Sequence, residues 1–133
     1  MVPGEKALRV VVFVTGLGEF LTSFVMLFLA GLYSKIYGLP ADFDPYYLRQ
    51  IGMFQFLVGG YILVGSFDVA NRTHVRFALA FHLVSLTFES IYVLFILTQH
   101  DLQFFTMLFF IAYHIPMAAV LVGLMRRLEI DFF

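Results

Sequence analysis

The stretch ALRVVVFVTGLGEFLTSFVMLFLAGL, residues 7–32, decides the class of this protein. Beyond Arg9 its only charged residue is Glu19, and the run is longer than the ~20 apolar residues that a helix needs to cross a bilayer core. Three more stretches read the same way. Residues 51–67 lie between Arg49 and Asp68, residues 75–97 contain His82 and Glu89, and residues 102–125 have His114 as their one ionisable member. Across all 133 residues, 62% are hydrophobic and 13% charged, with a mean hydropathy of +0.94. Soluble domains carry about 25% charged residues, so a soluble fold is excluded.

The expected fold is therefore an all-α integral membrane protein, one domain over residues 1–133, built as a four-helix antiparallel up-down bundle. Short connections force the alternation. Residues 68–74 and 98–101 read as tight turns, and only residues 33–50 form a sizeable link, with Gly38, Pro40 and Pro45 as breakers. Basic residues set the orientation. Lys6, Arg9, Arg72, Arg76, Arg126 and Arg127 fall on one side of a four-span arrangement, against Lys35 and Arg49 on the other, with Asp42, Asp44, His100 and Asp101. Both termini are expected in the cytoplasm, in a bacterial-type inner membrane or an equivalent one. The N-terminal run is too long for a signal-peptide core and is expected to be retained. Tyr33, Tyr37, Tyr46 and Tyr47 cluster at the outer end of the first two spans, as an interfacial belt would.

Several functions are excluded by what the chain does not contain. It has no cysteine, which removes disulfides, thiolate metal sites and cysteine nucleophiles. A net charge of −1 gives no electrostatic case for nucleic acid. Catalytic triads, phosphate-binding glycine loops and His-Glu-x-x-His motifs are missing.

Polar residues inside spans are expensive and mark candidate sites. Helical spacing gathers them into one stripe per span. The stripes are Thr15, Glu19, Thr22 and Met26; Gly52, Gln55 and Gly59, with Arg49 a turn earlier at the mouth; Ala78, His82, Ser85, Glu89 and Tyr92; and His114 with Phe110, Met117 and Leu121. Counting from the cytoplasmic ends at ~1.5 Å per residue puts Glu19 and His114 at ~16–18 Å, near mid-membrane. On that count the geometry allows Glu19 to pair with His114, with Glu89 and Gln55 one turn further out and His82 one turn further in. Glu19, Arg49, Gln55, His82, Glu89 and His114 are thus the candidate ligand-binding or proton-handling residues. The competing expectation is interhelical glue, worth ~0.6 kcal/mol per contact on average.

No metal site is expected, because His82 and Glu89 stand about 10 Å apart along the helix and no Glu-x-x-His pair is present. No cofactor is called for; a haem b between His82 and His114 is the one that two histidines on two helices would allow. Pro116 favours a kink beside His114. Ala119 with Gly123, and Gly59 with Gly60, leave smooth patches for close helix approach, within the chain or against a partner.

A long first helix, the loop LYSKIYGLPADFDPYYLRQIG (residues 32–52) and the glycine-rich FLVGGYILVG (residues 56–65) come in an order that resembles the DoxX-like small four-helix membrane family. A short basic turn and a helix carrying Glu89 complete it, so the resemblance covers nearly the whole chain. Arg49, Gly52 and HLVSLTFES (residues 82–90) are also similar in layout to the small sterol-biosynthesis scaffold family, which gathers membrane enzymes without activity of its own. Glu19 departs from both patterns.

The expected function is a non-catalytic accessory or scaffold subunit of a larger membrane complex, with the lipid bilayer and other membrane subunits as partners. The alternative is a protein that binds a quinone, lipid or sterol-like hydrophobic molecule, or relays protons through its buried Glu/His cluster. A small homo-oligomeric transporter, coupled through Glu19, is a third.

Overall fold

A computed structural model describes residues 3–36, 38–39, 44–96 and 101–132, and among them all regular structure is helical. The helices are α1 (Pro3–Phe28), α2 (Ala30–Ile36), α3 (Pro45–Gly65), α4 (Arg72–Ile96) and α5 (Asp101–Arg127). Three segments of the described residues, Gly4–Phe28, Pro45–Gly65 and Leu108–Arg127, are long and apolar enough to cross a membrane. The protein is thus an all-helical membrane protein. At 25 residues α4 has the length of a span, but it also carries Arg72, His74, Arg76, His82 and Glu89.

Helix ends differ from the expected spans for local reasons. In place of one helix over 7–32, the first helix begins at Pro3, and Leu29 stands outside regular helix between α1 and α2. Hydrogen bonds from Leu29 N to Val25 O (2.8 Å) and from Tyr33 N to Leu29 O (2.9 Å) carry the chain across that point.

The second span starts not at Ile51 but at Pro45, which is a helix starter and not a breaker. Proline at the first helical position gives up no needed donor. The Asp44 carboxylate caps the turn by accepting from Tyr46 N at 2.8 Å. Asp44→Ala is expected to cost about 1 kcal/mol, read as a lower midpoint of thermal unfolding in mild detergent. Arg49 consequently lies within α3. The turn expected over 68–74 closes earlier: Asn71 Oδ1 accepts from Thr73 N at 3.2 Å, α4 begins at Arg72, and His74 is helical. Leu97 and the turn residues Thr98, Gln99 and His100 lie outside the described residues, as do Tyr37, Pro40 and Asp42. Pro116 does not interrupt α5.

Glycine decides how α1 meets α3. A Cβ on Gly16 would overlap Leu63 N, one on Gly59 would stand 2.7 Å from Phe20 N, and one on Gly52 2.9 Å from Met26 Cβ. Numbers rise on one helix as they fall on the other, so the pair is antiparallel and in close backbone contact. The same opposed order relates α3 to α4, where Tyr61 meets Phe77 and Gly65 meets His74. It also relates α1 to α5, where Gly4 meets Leu128 and Gly18 meets Tyr113. The chain ends at Gly4 and Leu128 therefore share one end of the bundle.

The core fills that end. Leu8, Val12, Ile62, Val75, Leu121 and Met125 are buried together, and Ile130 joins them from the segment after α5. That segment is held by Arg76 Nε donating to Asp131 O at 2.8 Å and by Arg126 over the Phe132 ring. At the opposite end, Met26, Ala30 and Leu48 form a small second cluster. Between the two clusters the α1/α3 pair and the α4/α5 pair leave a cleft.

A buried carboxylate–histidine layer under a lateral cleft

The 3.6-residue period puts Thr15 and Glu19 on one face of α1, and Ala78, His82, Ser85 and Glu89 on one face of α4. Thr15, Glu19, His82 and His114 are all buried. Thr15 Oγ1 lies 3.0 Å from His82 Nε2, His82 Nδ1 lies 2.7 Å from His114 Nδ1, and His114 Nε2 lies 3.2 Å from Glu89 Oε1. Four side chains from α1, α4 and α5 thus form one hydrogen-bonded chain.

Its protons can be accounted for. A hydrogen bond between two Nδ1 atoms needs one ring to donate and the other to accept. With both imidazoles neutral and Glu89 ionised, the Thr15 hydroxyl donates to His82, His82 donates to His114, and His114 donates to Glu89. Every ring nitrogen is then satisfied once. A proton added at Glu89 reverses the whole chain, with His82 now donating to Thr15. Thr15, at the far end, is fully buried one turn from Val12 of the apolar core.

Glu19 belongs to a separate pair: Gln55 Nε2 donates to its Oε2 at 2.5 Å. The expected Glu19–His114 pair is not formed. Depth along the axis places them level, but the close α1–α3 contact at Gly59 turns Glu19 towards α3, and His114 is taken by His82 and Glu89. His82, expected one turn deeper than His114, is joined to it by the Nδ1–Nδ1 contact. Arg49 is exposed on α3 and does not line the cleft. Thr15 stands in the α1 stripe of the sequence without a site role, and Tyr113 goes unread there although it is adjacent to His114. Tyr113 stacks edge-on against both histidines, at 5.8 and 4.9 Å between ring centroids. The side chain of Tyr92, the last member of the α4 stripe, lies outside the description.

Above this layer the cleft encloses about 880 Å³, with Glu19, Gln55, Glu89 and His114 on its wall. The remaining lining is mostly apolar and aromatic, including Val58, Phe81 and Tyr113. Phe54, Phe88 and Phe109 line it too, and they are 69%, 70% and 69% exposed, so the cleft opens sideways through the outer surface. Ala119 and Gly123 of the small-residue pair on α5 are exposed, and among the described residues nothing lies within 4 Å of a Cβ built on Gly123.

His82 and His114 face each other in hydrogen-bonding contact, so a haem between them would require both rings to turn apart. Among the described residues, no group of three His, Asp or Glu is arranged to hold a metal ion. No family model, curated protein or solved structure matches this chain.

Proposed function

We propose that the protein is a four-span membrane protein, both termini cytoplasmic, that binds a hydrophobic molecule in the lateral cleft with its polar end on the Glu19–Gln55 and Glu89–His114 pairs. The cleft carries this reading. Binding sites for small molecules are concave spaces of about 300–1,000 Å³, largely apolar with a few convergent polar groups. Here about 880 Å³ of apolar and aromatic wall meets one layer of hydrogen-bonded polar side chains. The side opening suits a ligand that arrives dissolved in lipid. The length of α4 and the gathering of Lys6, Arg9, Arg72, Arg76, Arg126 and Arg127 at the terminal end support the span count and orientation.

The accessory-subunit reading has no comparable feature in its favour, since a lipid-facing bundle exposes apolar side chains with or without a partner. A decisive experiment is extraction into lipid nanodiscs from the native membrane, followed by mass spectrometry of what remains bound. A hydrophobic molecule near one per protein is expected with the wild type. It should be lost from Ser85→Trp, which fills the cleft, while thermal unfolding shows that variant folded. Identical bound molecules in both proteins would overturn the proposal.

A further inference from the structure

The proposed cleft has a pronounced charge bias. No lysine or arginine occurs between Arg9 and Lys35, between Arg49 and Arg72, or between Arg76 and Arg126. Away from the turns, the charged groups in those stretches are the two carboxylates Glu19 and Glu89, and both line the cleft. The nitrogen donors that reach the cleft are directed onto them: Gln55 Nε2 onto Glu19, and His114 Nε2 onto Glu89. Glu89 Oε2 remains buried with no donor among the described residues. An unsatisfied acceptor on a buried carboxylate is costly, and a donor with positive charge relieves both deficits at once.

Resting on the ligand-binding reading, we infer that the cleft selects a lipophilic ammonium ion, a protonated amine carried on an apolar body. The ammonium N–H groups donate to Glu89 Oε2 and towards Glu19, and the apolar body lies along the aromatic wall. The aromatic rings of Phe81 and Tyr113 in the cleft wall add attraction for a cation that a ring face meets in a desolvated site. Other head groups fit less well. A quinone or ketone oxygen finds the imidazole N–H already given to Glu89, and even on a hydroxyl such as that of Tyr113 it leaves Glu89 Oε2 unpaired. A phosphate or carboxylate head group meets two carboxyl groups and no lysine or arginine.

The test compares 4-octylbenzylamine with 4-octylbenzyl alcohol, which share a body and differ in charge. Saturable binding to the full chain in nanodiscs of zwitterionic lipid is measured by native mass spectrometry. The amine is expected to bind at least tenfold more tightly, and Glu89→Gln is expected to lower the amine-to-alcohol affinity ratio at least tenfold. Equal binding of both compounds to the wild type would overturn the ammonium inference and leave the cleft reading intact. Saturable binding of neither would overturn both. The wild-type comparison decides the matter even if Glu89→Gln fails to fold, and Glu19→Gln, expected to lower the same amine-to-alcohol ratio, gives a second variant.

Discussion

Gly16→Ala is expected to destabilise the bundle by about 3 kcal/mol, the upper end for overpacking a tight interior. The added methyl would overlap Leu63 N and stand 2.6 Å from Leu63 Cα and 2.9 Å from Ile62 C. All three are backbone atoms of α3, so no side chain can turn away to make room. Relief requires the two helices to separate along the length that Gly52 and Gly59 also hold close. Gly123→Ala is the control, because among the described residues no atom lies within 4 Å of the added methyl. That change is expected to fall within about 0.5 kcal/mol of the wild type. Unfolding by denaturing detergent, followed by circular dichroism, measures both. Equal midpoints for the two variants would show that α1 and α3 do not meet as described.

His114→Leu is the second large effect, expected at about 3 kcal/mol, as for breaking a buried pair by removing one partner. Loss of the ring strips His82 Nδ1 and Glu89 Oε1 of their partner together. Glu89 borders the cleft and can recruit water, but His82 is fully buried and cannot. The double variant His82→Leu/His114→Leu removes the orphaned imidazole, so it should cost less than the two single changes added. A coupling above 1 kcal/mol is expected, beyond the ~0.6 kcal/mol typical of polar contacts in membranes. Strict additivity would mean that the two rings share no proton.

Apolar run length makes the helices legible in the sequence, and their antiparallel order follows from the short links. The polar stripes are also legible, since spacing of three and four fixes a face whatever the surroundings: Thr15 with Glu19, and His82 with Glu89, do share faces. Which stripe meets which is not legible. Helix rotation about the axis depends on the partner surface, and here Gly16 and Gly59 set it by admitting backbone where side chains would otherwise stand. That rotation gives Glu19 to Gln55 and leaves His114 for His82. Pro45 misleads for a local reason, because its meaning as breaker or starter depends on the cap that Asp44 provides. Arg49 belongs at the mouth only if the helix begins after it; with α3 starting at Pro45, it falls on an exposed face.

The exposed rims at Phe54, Phe88 and Phe109 have a consequence for how affinity must be measured. A molecule that reaches the cleft through the side of the bundle equilibrates first with the hydrocarbon phase, which becomes its reservoir. Occupancy then follows moles of ligand per mole of lipid, and the aqueous concentration matters only through partitioning. At a fixed total amount of ligand, doubling the lipid in a vesicle assay dilutes the reservoir and lowers occupancy, although no contact in the protein has changed. Two ligands with equal contacts but different partition coefficients will therefore show different apparent potencies in water, and the same potency when counted per lipid.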